Sequence, residues 1–277
     1  MMHFVVLQIK DMLKRKECII TFYVLLAMVL INYIRNVLSF QGMDVNSMYH
    51  PMKLLLLSYN MTNYNADLTI LLIQLYPFLV VYPAGFVLAK EYQTGEAIFL
   101  SSRMGNNRYR VSKFIAAFVT TFIVFTAPFF IEVVLNCLAF PMDAMGDLTN
   151  WGCYNISYLN SVDNYVLSDF YLKSTYLYTV VGIIIFGIIS GVLGMFTMMF
   201  SALYKVKYNV FLFLPVFIYL NIFNMLTKEN GKSLRWSDHM LLFNDIEKNI
   251  YVFATIWLFF FIMLIVGGIY ARKKDCL

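Results

Sequence analysis

The sequence predicts an all-α integral membrane protein, with six transmembrane helices, an N-terminal amphipathic interfacial helix and both termini in the cytoplasm. Three observations predict it. Of the 277 residues, 61% are hydrophobic and only 13% are charged, far from the balance of a soluble domain. The apolar residues collect into six long runs, and hydrocarbon cannot hydrogen-bond a bare backbone, so such runs have to be helices. Lysine and arginine then crowd onto one side of those runs, fourteen of the 21 against seven.

Residues 1–17 are too polar to span. On a helix, Met2, Val5, Val6, Ile9, Met12 and Leu13 share one face while Gln8, Asp11 and Arg15 lie opposite, which suits a helix lying flat in the membrane interface. Spans follow at about 18–38, 68–89, 114–138, 176–200, 208–226 and 250–270. Each holds roughly 20 residues, enough for a hydrocarbon core of about 30 Å at about 1.5 Å per residue. The fifth is the shortest and carries Asn221 and Asn224; the alternative count drops it. No small-residue cleavage site follows the first span, so a retained helix is expected there rather than a cleaved signal.

Orientation follows from the basic side. It carries Lys10, Lys14, Arg15 and Lys16, then Lys90, Arg103, Arg108, Arg110 and Lys113, then Lys205 and Lys207, and finally Arg272, Lys273 and Lys274. The positive-inside rule places this side, with the loop 90–113, in the cytoplasm. The formal charge of +5 then reflects topology and contact with anionic headgroups, and no nucleic acid is expected as a partner.

Three loops on the other side are long: 39–67, 139–175 and 227–249. The second could hold a short helix with Tyr158, Val162, Tyr165 and Val166 on one side. In the third, Leu234, Leu241, Phe243 and Ile246 are separated by charges, which suggests a helix at or dipping into the outer interface. With no internal repeat and no soluble segment, residues 1–277 read as one transmembrane domain.

Few residues carry chemistry. Gly231-Lys232-Ser233 looks like the end of a phosphate-binding loop, but the glycine required five residues earlier is Leu226, and the segment falls on the outer side. His3, His50 and His239 are scattered, and Cys18, Cys137, Cys153 and Cys276 lack metal-ligand spacing, so no metal site is expected. Cys137 and Cys153 both fall toward the outside, where either a disulfide or two thiols would fit. No acid pair and no nucleophile with its base stands out, so no catalytic residue is expected. Asn60-Met61-Thr62 and Asn155-Ile156-Ser157 match the glycosylation pattern, which carries no meaning in a bacterial protein.

Inside the spans, Glu132 is the one acid well within a predicted helix. Two readings stand: a residue on a substrate or proton path, or a hydrogen-bonded acid near the outer interface. Gly187, Ser190, Gly191 and Gly194 form a small-residue face, suited to close packing within the bundle or to a dimer seam. Pro77, Pro83, Pro128 and Pro215 remove backbone hydrogen bonds inside spans and are expected to kink them.

The loop 90–113 is the most informative stretch. Glu91 and Gly95 follow the second span, then come apolar Ala97, Ile98, Phe99 and Leu100, a polar Ser101-Ser102-Arg103 turn, and Arg108, Arg110 and Lys113 leading into the third. A short helix with an apolar face, set between charges and glycines, can seat in a groove of a cytoplasmic partner. The basic charge of the loop also serves simply to set topology.

On Glu91, Gly95, Leu100, Ser101, Arg108 and Lys113, with six spans and the interfacial helix, the chain resembles the permease subunit of ATP-binding-cassette transporters of the second exporter class. It departs from that family at Glu96, where Thr is frequent, and near Met104, where the usual Pro is missing. The resemblance implies that the loop is a coupling helix docking on a separate ATPase subunit. Glu91, Gly95, Ile98, Phe99, Leu100, Arg108 and Arg110 would be its contacts. It further implies a second permease, identical or not, and ATP with Mg held by the ATPase, this chain binding no cofactor. Short helices between the fifth and sixth spans would dip into the outer leaflet, and the location would be a bacterial plasma membrane. The expected function is export of an amphipathic or hydrophobic substrate: a peptide, drug or lipid. The alternative is a membrane immunity or sensor protein that binds a peptide without transport. A secondary transporter ranks third, since Glu132 alone offers a titratable group within the spans.

Overall fold

The computed structural model describes residues 2–45, 48–58, 66–142, 165, 167–203, 209–225, 235–244, and seven positions between 254 and 269. Outside the described residues lie 231–233, the patterns at 60–62 and 155–157, Tyr158, Val162, Val166, Leu234, Ile246, Cys153 and Cys276, and most of the sixth span. Among the described residues the chain is all-helical, and its only extended pairing is an isolated bridge between Ser58 and Leu242.

Among the described residues four helices are long and apolar enough to cross a membrane: α2 (Lys16–Ser39), α3 (Ala66–Thr94), α5 (Asn106–Ala139) and α7 (Thr175–Leu203). They are joined by α1 (Met2–Lys14) before the first, α4 (Glu96–Met104) between the second and third, and the short α6 (Ser168–Lys173) before the fourth. The expected fifth span is interrupted. A 3-10 turn over Asn209–Leu212 precedes α8 (Leu214–Met225), whose 12 residues reach only about 18 Å. Pro215 sits in the first turn of α8, where its missing N–H costs nothing, so it starts a helix instead of kinking one. Pro77, Pro83 and Pro128 do lie inside helices, and α3 and α5 run on through them. In the sixth expected span the described residues are helical. Leu258, Phe261, Ile262, Ile265 and Ile269 are all exposed, an apolar face turned outward.

The amphipathic pattern of α1 holds only in part. Met12 is fully buried and Ile9 packs beside it in the small core at the α4 end, but Val6 is exposed and Gln8 is half-buried. The helix leans on α5, and its buried stripe runs through Met12 and Ile9 and not through Val6.

The core sits where α5 and α7 pack, and the small-residue face makes that packing possible. A β-carbon at Gly187 would lie 2.2 Å from Thr126 Cγ2, one at Gly194 2.5 Å from Thr121 Oγ1, and one at Gly191 2.7 Å from the Phe118 ring and 3.0 Å from its carbonyl oxygen. Ser190, fully buried, donates to Phe186 O at 2.8 Å and meets Tyr76 Oη of α3 at 3.0 Å. The face is therefore filled by α5 of the same chain, as the reading of close packing within the bundle expects. Gly191→Leu is expected to cost about 1–3 kcal/mol by overpacking, because a backbone carbonyl cannot rotate away. Thermal unfolding in detergent checks this, with the 43% exposed Ile188→Leu as the control that should melt with the wild type.

Candidate functional site

The basic-side loop is built by two left-handed glycines. Gly95 (φ 78°) ends α3 and opens α4, and Gly105 (φ 81°) closes α4 and opens α5. A side chain at either position would be strained, so glycine lets the chain reverse twice within a few residues. The expected Ser101-Ser102-Arg103 turn does not form there. Ser101 Oγ and Ser102 Oγ donate back to the carbonyls of Ile98 and Phe99, the helix continues to Met104, and the turn falls on Gly105.

The faces of α4 then separate cleanly. Ala97 is fully buried beside Met12 and Tyr109, and Leu100 packs partly against the same cluster. Ile98 and Phe99 point outward at 53% and 56% exposure, and the Arg103 guanidinium lies 4.4 Å from the Phe99 ring centroid. Arg108 is exposed as well.

Glu91 and Arg110, expected as outward polar contacts, are both turned inward at 2% exposure. Glu91 is the hub of a buried ionic group. Its Oε1 accepts from Lys113 Nζ at 2.6 Å and Arg15 Nη2 at 3.1 Å, and its Oε2 from Tyr109 Oη at 2.5 Å. Arg15 also holds Asp11 at 3.0 Å, and Lys90 pairs with Glu17 nearby. The carboxylate thus ties together the bend between α1 and α2, the end of α3 and the start of α5. The bend itself is Arg15, extended at φ −69° and ψ 144°. A carboxylate buried this deeply persists because its charge and lone pairs are met by two cations and a hydroxyl. Arg15, Tyr109 and Lys113 were not identified as its partners from the sequence. The Asp11–Arg15 spacing of four was the available signal for the first.

A second polar group lies at the other end of α5, roughly 28 Å along the helix from Lys113. Glu132 is fully buried. Its Oε1 accepts from Asn32 Nδ2 at 2.6 Å and from the Leu56 backbone N–H at 2.8 Å. Asn32 and Asn36 each donate to Leu54 O at 2.9 Å, and Asn136 donates to Pro51 O at 3.2 Å. These side chains hold an irregular buried segment, the 3-10 turn Pro51–Leu54 and the residues after it, whose carbonyls and amides have no helix to satisfy them. Glu132 is thus hydrogen-bonded through Oε1, while its buried Oε2 has no hydrogen-bond partner among the described residues. Asn32 with Asn36, and Glu132 with Asn136, are polar pairs one turn apart in apolar helices. That spacing was the legible signal.

The segment Arg235–Asn244 packs against the same residues. In α9 (Trp236–Met240) all five residues are buried, Trp236 stacks on Tyr76 at 5.1 Å, and the Leu242 N–H donates to Leu57 O at 2.9 Å. Phe243, at φ 53°, joins Tyr165, Tyr171 and Tyr178 in an aromatic cluster, with Lys53 Nζ 5.9 Å from the Tyr171 ring centroid. The segment is inserted in the end of the bundle, because Trp236, Leu242 and Phe243 find rings and backbone partners there. Comparison with family models, with curated proteins and with solved structures gives no match for this chain.

Proposed function

We propose that this chain is the membrane-spanning subunit of an ATP-driven exporter, with six spans and both termini in the cytoplasm. Two such subunits, identical or not, would work with two cytoplasmic ATPase subunits that hold ATP and Mg. The observation that carries this reading is the build of α4. A short helix between two left-handed glycines offers exposed Ile98 and Phe99 beside Arg103 and Arg108, on the side where the basic residues gather. Apolar side chains exposed next to arginines on an otherwise ordered loop suit a protein partner, since aromatic and arginine residues dominate binding hot spots. The Glu91 group supports a mechanical role for the loop, because a push on α4 would be passed to α1, α3 and α5 together. The apolar spans suit an amphipathic or hydrophobic cargo such as a peptide, drug or lipid.

The test is copurification with the ATPase and substrate-stimulated ATP hydrolysis. Phe99→Ala is expected to weaken ATPase binding by roughly 30-fold, the scale of a hot-spot side chain. Asn107→Ala, exposed on the same loop, should leave binding within about twofold of the wild type. Full binding and stimulation by Phe99→Ala would leave the loop a topological anchor only. Peptide binding without ATP-dependent movement would favour a sensor over an exporter.

A further inference from the structure

A cleft of about 720 Å³ opens where α1, the first turn of α2, the end of α3 and the start of α4 meet. Phe4 and Leu7, 46% and 49% exposed, give it an apolar wall. Most of its cations are already engaged within the chain: Arg15 and Lys113 on Glu91, Lys90 on Glu17. Lys14 and Lys16 differ. They flank the bend at Arg15, line the cleft, are exposed, and have no ion pair among the described residues. Gln8 adds a buried Oε1 that has no hydrogen-bond donor among the described residues.

A ligand for this cleft has to bring an apolar part for Phe4 and Leu7, an anion for the two lysines, and a hydroxyl or amine for Gln8. Glu96 stands on the α4 rim and Asp11, held by Arg15, on the α1 wall, so a single negative charge fits better than the two or more of a phosphomonoester or nucleotide. A diacyl phospholipid with a phosphodiester and a hydroxylated headgroup meets every requirement, and a chain with four helices fit to cross a membrane has such molecules at hand. We propose that the cleft binds one anionic phospholipid of the leaflet on the basic side, its phosphate between Lys14 and Lys16 and its acyl chains along Phe4 and Leu7. The lipid would touch both α1 and the base of α4, making the seating of α4 dependent on lipid composition. This goes beyond the exporter reading and does not need it.

The experiment uses the full chain in neutral detergent, titrated with phosphatidylglycerol, phosphatidylcholine or inorganic phosphate. Bound lipid is counted by native mass spectrometry, and affinity is read from the shift in melting temperature. Phosphatidylglycerol should bind and the other two should not. Lys14→Gln with Lys16→Gln should weaken it by roughly 25-fold, about fivefold for each lysine near a headgroup. Lys10→Gln, exposed on α1 but outside the cleft lining, should change it less than twofold. Equal weakening by Lys10→Gln would overturn the site in favour of general surface attraction. Equal binding of phosphatidylcholine would remove the anionic requirement, and a matching shift from inorganic phosphate would reassign the cleft to a free anion. Leu7→Gln leaves both lysines in place and should also weaken the lipid; an unchanged affinity there would rule out the amphiphile. Each readout concerns this chain alone, so failure here leaves the ATPase tests unaffected.

Discussion

Glu91→Leu is expected to lower stability by about 3–5 kcal/mol, because it leaves the Lys113 ammonium buried without its counter-charge. Lys113 is 2% exposed and its nitrogen lies 2.6 Å from Glu91 Oε1, so the ammonium depends on this carboxylate more than on solvent. Glu91→Gln should be nearly as damaging. An amide keeps the shape and a hydrogen bond but does not neutralise two cations. Adding Lys113→Met to Glu91→Leu should recover much of the loss, since exchanging a whole buried pair for apolar groups is often close to neutral. Arg15→Gln should cost less than either single change at Glu91, because that side chain is 22% exposed and its partner keeps Lys113 and Tyr109. Thermal unfolding in detergent would rank the four variants. A Glu91→Leu protein that melts with the wild type would show that the ionic group is not what holds the α1–α2 bend to α3 and α5.

At the opposite end, Glu132→Ala is expected to cost about 2–6 kcal/mol. It leaves two buried donors without an acceptor, one on Asn32 and one on the Leu56 backbone, at about 1–3 kcal/mol each. The damage should be local first. Residues 51–58 lose one of the contacts that hold them between α2 and α5, and hydrogen exchange there should rise before the helices open. Glu132→Gln makes the discriminating comparison. A glutamine oxygen can accept both bonds, so this variant should keep most of the stability, in contrast to the Glu91 case. If Gln and Ala are equally destabilising, Glu132 supplies more than an acceptor, and the path reading regains its weight.

The membrane character was legible because it rests on composition and on runs of about 20 residues, properties that no tertiary contact alters. For the same reason α2, α3, α5 and α7 fall close to their expected spans. The loop helix was legible as well, since glycines at 95 and 105 punctuate an apolar tetrad. Its limits were not, because whether Ser101 and Ser102 end a helix or bond back into it depends on rotamers that residue type leaves open.

Direction was the larger gap. From the sequence Glu91, Arg108 and Arg110 were equivalent charges on one loop, and packing alone turned Glu91 and Arg110 inward while leaving Arg108 outside. The small-residue face was readable as a close-packing surface, but its partner was not. A glycine stripe states how near a neighbour can come, and only the placement of Phe118, Thr121 and Thr126 opposite it says that the neighbour is α5 of the same chain. By itself, then, the sequence determined that the chain is helical, that it suits a membrane and where its four long helices run, because those follow from solvent transfer and local backbone geometry. The tertiary structure decided which polar residues are buried and whom they meet. A buried charge or amide is tolerated only where partners distant in the chain converge on it, as Arg15 and Lys113 do on Glu91 and Asn32 does on Glu132.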